Sequence, residues 1–241
     1  MIVCGIDLET TGLSPIEDRV TELGFVLWDT TVKTPLLVVN TFVDPGRSIP
    51  PEISAINKIT TEMVSRWGIP SKTALNTLVS NMDKADVVCA HNGTNFDKPF
   101  IEEWGRREGV QIPDKLWIDT RTDLPVTGTR LIYMCAEHAG FVNPFPHRAV
   151  FDVMSMLRLL SQFDVEAVVA RAKLPTITLQ AQVRFDEKEK AKEQGYQWRE
   201  ANTFSGKAWL KDVKEGEEKE AIAAAAKAGF KATVYCRKRH D

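Results

Sequence analysis

Little in this chain is built for an oxidising or apolar setting. Its 241 residues include only four cysteines, Cys4, Cys89, Cys135 and Cys236, and no two of them are spaced as Cys-x-x-Cys. That scatter excludes a zinc knuckle or a disulfide framework as the organising device and fits a reducing cytoplasm. No apolar run approaches the roughly 18 residues of a membrane span, so no membrane association is expected. The opening MIVCG lacks the basic-then-apolar layout of a secretory leader. Long repeats and low-complexity linkers are missing too. A weak echo joins AKEQGY (191–196) to AKAGF (226–230), both reading as helix C-termini stopped by Gly195 and Gly229.

What is present suits an ordinary globular protein. With 43% hydrophobic and 27% charged residues, the chain can bury a core, and its length accommodates one large domain, or one medium domain with a small appendage. Charge divides unevenly. From Thr178 onward there are 14 Lys+Arg against 11 Asp+Glu, and before it 17 against 22. The expectation is an acidic domain over 1–175 and a separate, mildly basic α+β module over 178–241.

Hydrophobic patterning predicts strands at Ile2–Leu8, Val20–Asp29, Leu36–Val43, Asp86–Ala90 and Trp117–Asp119. Helices are expected around Thr60–Arg66, over Ser71–Met82, from about Asp97 to before Gly109, over Arg130–Ala139 and over His147–Ser161. Three meandering strands followed by strands alternating with helices give an α/β fold, a mixed sheet covered by helices. In the tail the order reads strand (Val183–Phe185), helix (Asp186–Gln194), strands around Trp198 and Trp209, helix (Gly216–Ala228) and strand (Lys231–Tyr235).

The first strand carries an oddity. In IDLE, Asp7 and Glu9 interrupt the end of an apolar strand, and residues two apart on a strand share a face. Two carboxylates so placed repel each other and raise each other's pKa. Farther on, Asp97 stands where a helix begins, and an N-cap is one reading of it. Asp152 sits in a helix beside the apolar stripe of Val153, Met156, Leu157 and Leu160. Each acid alone reads most simply as structural or solvated; the set is harder to dismiss. Divalent Mg²⁺ or Mn²⁺ prefers oxygen ligands and supplies the missing positive charge. Two such ions about 3.5–4 Å apart form the clamp used in phosphodiester cleavage. His147 follows Asn143-Pro144-Phe145-Pro146, an extended lead-in that puts it in a loop or first helical turn, able to swing over the cleft. There a neutral imidazole can take a proton from an attacking water.

DLETTGL (7–13), HNGTNFD (91–97) and HRAVFD (147–152) resemble the three exonuclease motifs of the DEDDh 3′-to-5′ exonucleases, the group that contains bacterial proofreading subunits. PPEISAINKITTEMV (50–64) resembles a further segment of that family, and the likeness spans roughly residues 1–162 in order and spacing. The resemblance implies an RNase H-like fold and hydrolysis with two metal ions, Mg²⁺ or Mn²⁺. Carried over position by position, it implies Asp7, Glu9, Asp97 and Asp152 as metal ligands and His147 as general base. Asp7 would touch both ions, Glu9 and Asp152 the one beside the nucleophilic water, and Asp97 mainly the other. Thr10 and Leu13 would contact the terminal nucleotide, Leu13 as an apolar wedge, and Asn92 and Phe96 would line the same pocket. Phe96 reads equally well as a core residue beneath the helix start.

Two positions depart from the family pattern. Gly93, Thr94 and Asn95 make a three-residue gap where two are usual, so Asn95 shares the claim on the role of Asn92. Asn57 stands where His is common. The implied substrate is nucleic acid, single-stranded DNA 3′ ends foremost, with RNA as the alternative and a non-catalytic adaptor disfavoured by the intact set of five. The tail resembles, far less specifically, a small module with the pattern FDEKEKAKEQGYQW…GKAW (185–209). Its Tyr196, Trp198 and Trp209 and its basic residues suggest stacking on single strands or docking of a protein partner. A small core with a solvated surface is the stronger reading of the same residues.

Overall fold

The structure, a computed structural model, describes all residues except 127, 129, 202–205 and 239–241. It divides into two compact units, the first made of Met1–Leu124 and Arg130–Val168, the second of Pro125–Thr129 and Val169–Asp241. Among the described residues no helix is long and apolar enough to cross a membrane.

The first unit is built on β1 (Ile2–Thr10), β2 (Val20–Asp29) and β3 (Thr34–Phe42), an antiparallel meander. β1 outruns its expected end at Leu8 because the antiparallel ladder with β2 continues through Glu9 and Thr10, with a register shift between them. Such shifts re-aim side chains beside functional sites. α1 (Pro51–Asn57) occupies a stretch where the two prolines had suggested only a break. Pro51 stands in its first turn, where a missing N–H costs nothing. Next come α2 (Thr61–Trp67), capped by the Thr60 hydroxyl, and α3 (Ser71–Met82), whose Ala74, Leu75, Leu78 and Met82 form a buried stripe at helical spacing. β4 (Val87–Ala90), α4 (Asp97–Glu108), β5 (Trp117–Asp119), α5 (Leu131–His138) and α6 (Ala149–Leu160) complete the unit. The sheet order is β3-β2-β1-β4-β5, with β4 parallel to β1 and β5 parallel to β4.

Alternation along β1 sends Cys4, Ile6 and Leu8 into a core shared with Leu23, Phe25, Leu75, Leu78, Phe100 and Ile101. Gly5, Asp7 and Glu9 therefore face the other way. α6 lies against that second face at unusually close range. A Cβ on Gly5 would stand 2.8–2.9 Å from Leu157 and Val153, and one on Gly24 would stand 2.5 Å from the backbone nitrogen of Val150. Because Gly24 pairs with Asp7 across the ladder, this approach sets the start of α6 beside the carboxylates. Gly24→Ala must push the α6 backbone outward. It is expected to destabilise by about 1–3 kcal/mol, the usual cost of overpacking, and to lower activity as well. A denaturation midpoint equal to that of the wild type would show that the approach is not rigid.

In the second unit, β7 (Gln197–Glu200), β8 (Lys207–Lys214), β6 (Thr176–Gln182) and β9 (Lys231–Lys238) form an antiparallel sheet in the order β7-β8-β6-β9. α7 (Val165–Ala172) precedes β6 in the chain, and α8 (Lys188–Glu193) and α9 (Glu218–Lys227) lie farther along. The expected strand at Val183–Phe185 is instead the approach to a short 3-10 turn over Phe185–Glu187. The real first strand is TITLQAQ, whose Ile177, Leu179 and Ala181 alternate inward onto Ala191, Ala225 and Phe230. Gly195 and Gly229 do follow helix ends, at φ +81° and +89°. Tyr196 is a core residue, edge-on to Phe230 at 5.5 Å, and offers no stacking surface. Trp209 packs on the core, while Trp198 is exposed beside it at 5.6 Å. Part of the basic stretch CRKRHD lies outside the described residues.

Candidate active site

The acids converge from three elements. Asp7 and Glu9 share one face of β1, as their spacing demands. Asp97 is the first residue of α4, and its Oδ1 accepts the backbone N–H of Leu8 at 3.0 Å. It is not the N-cap that its position suggested; Phe96 holds that place without a side-chain cap. The carboxylate is thus tied to β1 midway between Asp7 and Glu9, just past the end of the β4 ladder. Asp152 occupies the first turn of α6, where its Oδ1 accepts from Asn143 Nδ2 and its Oδ2 from the backbone N–H of His147, both at 2.8 Å.

His147 lies outside α6, which starts at Ala149 rather than at the histidine. Its φ of +61° is left-handed, a region that His, like Asn and Asp, enters more readily than most residues. The loop brings the exposed imidazole to the acids: one ligand atom each from Glu9, His147 and Asp152 all lie within 4.8 Å of one another. Asp7 and Asp97 stand outside that trio, and Asp7 feels the charges of Asp97, Glu9 and Asp152.

Burial is the first cause of every shift in the set, and for Asp7 and Glu9 repulsion from neighbouring carboxylates adds to it. Asp7 is raised well above the usual carboxylate range, by burial and then by Asp97, Glu9, Asp152 and Glu22. Burial pushes Glu9 up to about 8, against the hydrogen bond from Asn57 Nδ2 at 3.2 Å. Asp97 reaches about 7, through burial opposed by the Leu8 N–H, with Asp119 adding repulsion. Asp152 is raised by burial, and the N–H of His147 works the other way. Arg148, the nearby guanidinium, is committed to Glu22 at 2.8 Å. The carboxylates are therefore short of positive charge, and their hard oxygen donors suit divalent Mg²⁺ or Mn²⁺.

The residues expected to touch substrate fall into two groups. Leu13 is 81% exposed on the loop after β1. Thr10 is buried, and its hydroxyl donates to the Gly12 carbonyl. Asn92, at φ +65°, accepts from Arg121 Nη1 at 2.6 Å and from Asn95 Nδ2 at 3.3 Å, so the two asparagines of the lengthened gap form one unit. Phe96 is half-buried and packs on Phe100 at 4.8 Å, as the core reading had it. Asn57 bonds Glu9 directly and is itself part of the site.

Three supports had not been singled out from the sequence. Glu22 is fully buried on β2, opposite Glu9. Asp119, at the end of β5, accepts from the backbones of Asn92 and Thr94 and from the Thr94 hydroxyl, fixing the loop that leads to Asp97. Asn143 bridges Asp152 and the Phe145 N–H. Glu22 left one signal, a charge within the buried run of β2; Asp119 and Asn143 left none beyond their residue type.

A five-stranded sheet in this order, with acids at the end of its central strand, is the architecture of an RNase H-like exonuclease. The exonuclease family RNase T matches residues 4–160, and the chain belongs to it. Over 98 residues it is 39% identical to DNA polymerase III subunit epsilon of Treponema pallidum (strain Nichols), a match covering 39% of this chain and 42% of that protein. The chain thus matches less than half the length of that relative. Its fold is similar to that of E. coli exonuclease I in complex with a dT13 oligonucleotide, with a TM-score of 0.56 and 14% identity over 75% of this chain and 48% of that one. It is equally similar, with a TM-score of 0.56, to the nuclease domain of 3′hExo, a DEDDh family member bound to rAMP, at 18% identity over 67% and 90% of the two chains.

Proposed function

We propose that this exonuclease hydrolyses the terminal phosphodiester bond at 3′ ends of DNA and releases nucleoside 5′-monophosphates. The observation that carries the reading is the convergence of Glu9, His147 and Asp152 within 4.8 Å beside Asp7 and Asp97. Asp7, Glu9, Asp97 and Asp152 would hold two divalent ions, Mg²⁺ or Mn²⁺. Bound there, the ions would offset the carboxylate charge and stabilise the charge that develops on the scissile phosphate. His147 accepts the proton of the attacking water through its imidazole, and the hydrogen bond from its own N–H to Asp152 fixes its place. Leu13 meets the terminal base as a wedge, with Thr10, Asn92 and Phe96 shaping the pocket. The preference for DNA is supported by the likeness to a DNA polymerase III epsilon subunit.

The deciding assay sets end-labelled single-stranded DNA, duplex DNA and RNA side by side, with Mg²⁺ and with Mn²⁺. Single-stranded DNA shortened from the 3′ end to 5′-monophosphates is expected. Products ending in 3′-phosphate, or cleavage of circular single strands, would contradict the reading; faster loss of RNA would transfer it to exoribonuclease. The module over 178–241 is proposed to bind nucleic acid through exposed Trp198, or failing that a protein partner. Trp198→Ala should then raise KM on long strands and leave dinucleotide cleavage unchanged. Equal kinetics at every length would point to the protein partner.

A further inference from the structure

We infer that Glu22 and Arg148 form a positioning pair that aims His147 at the substrate, an inference resting on the reaction proposed above. Glu22 is fully buried on β2. Its two oxygens accept Arg148 Nη2 at 2.8 Å and Arg148 Nε at 3.2 and 3.3 Å, the Ala149 N–H at 3.1 Å and Asn40 Nδ2 at 3.1 Å. One carboxylate thus holds both the side chain of residue 148 and the first N–H of α6. The Arg148 guanidinium also lies 5.4 Å from the centre of the Phe42 ring. The next residue back is His147.

A simple structural anchor would not be made this way. With the Arg148 side chain 30% exposed, solvent weakens the pair's attraction while Glu22 still bears the cost of burial, and Glu22 adds negative charge directly opposite Glu9, where charge is already in excess. The pair does supply a fixed direction. His147 is exposed and has a left-handed backbone. The hydrogen bond from its N–H to Asp152 restrains it on the helix side. Arg148 restrains the following peptide from the sheet side, through a fork that cannot rotate without losing its contacts. Clamped from both sides, the imidazole is held within reach of Glu9 and Asp152.

The test compares wild type, Arg148→Gln, His147→Asn and the double variant for kcat, KM, divalent-ion half-saturation and melting temperature. Arg148→Gln is expected to lose about 10–100-fold in kcat, the scale of an ångström of misplacement, with KM and half-saturation unchanged. In the His147→Asn background the same substitution should cost nothing further, because residues acting through one group are not additive. Multiplicative losses, an effect confined to KM, or an unchanged kcat would overturn the pairing. Glu22→Gln sets an amide NH₂ against at least one of the donors and should reproduce the kcat effect if it folds.

An independent readout needs no turnover. The imidazole NMR signal of His147, assigned by its loss in His147→Asn, should move towards the free-histidine position in Arg148→Gln. An unmoved signal overturns the inference even if the wild type proves to degrade no nucleic acid.

Discussion

Asp7→Asn is expected to abolish nucleotide release at any divalent-ion concentration and to raise the melting temperature of the metal-free protein at pH 8. The two effects share one origin. Asp7 lies on the β1 face that receives Asp97, Glu9 and Asp152 as neighbours, so it contributes to the repulsion while serving the site. Its folded pKa is raised, as are those of Glu9, to about 8, and Asp97, to about 7. A carboxyl whose folded pKa exceeds its unfolded value binds more protons in the native state. The stability it contributes is complete below the unfolded value of about 4 and is lost as pH rises through 7 and 8. The metal-free wild type should therefore be more stable at pH 5 than at pH 8.5. A difference on the order of 2–4 kcal/mol is expected, since each pKa unit is worth about 1.4 kcal/mol and coupled groups share their shifts. Divalent cation added at pH 8.5 should restore the loss, and Asp7→Asn should flatten the pH slope. Denaturant titrations in chelator at the two pH values check this. A metal-free protein that gains stability from pH 5 to 8.5, or full turnover in excess chelator, would remove the basis for a cation site.

The parts of the molecule read correctly in advance are those specified by neighbours in sequence. β2 was placed at its observed limits, Val20–Asp29, and α3 at Ser71–Met82, because a strand's apolar run and a helix's 3.6-residue stripe are local patterns. The five candidate catalytic positions each sit at a motif, and the fold brings Glu9, His147 and Asp152 within 4.8 Å of one another; their catalytic roles belong to the proposal. α1 was hidden by Pro50-Pro51, which also serves a helix start. β6 alternates as a strand should at Ile177, Leu179 and Ala181, ahead of the Val183–Phe185 stretch where the sequence places the tail's first strand. Other features were beyond any local reading. Gly24 matters because the α6 backbone comes within 2.5 Å of where its Cβ would be. Glu22 matters because a residue 126 positions away folds onto it. Nothing within either segment encodes the other's arrival.

Replacing His147 separates proton transfer from cation binding, and the structure decides how to do it. The left-handed φ of +61° makes alanine a poor probe, since strain from the new residue would mix with loss of the imidazole. Asparagine tolerates that backbone and cannot serve as the base, and the N–H that Asp152 accepts is retained. His147→Asn should therefore lose a factor on the order of 10²–10⁴ in kcat, the range of acid–base catalysis, with the fold and the loop intact. The divalent-ion half-saturation carries the second half of the test. One ligand atom each from His147, Glu9 and Asp152 all lie within 4.8 Å of one another, so by distance alone the histidine suits a ligand as well as a base. If it is the base, His147→Asn leaves half-saturation within about twofold of wild type, whereas Asp152→Asn, which removes a proposed ligand, raises half-saturation and lowers kcat together. Imidazole added to the buffer should then return part of the lost rate to His147→Asn and none to Asp152→Asn. A raised cation requirement in His147→Asn, with kcat recovered at saturation, would instead make the histidine a ligand and leave the base unassigned.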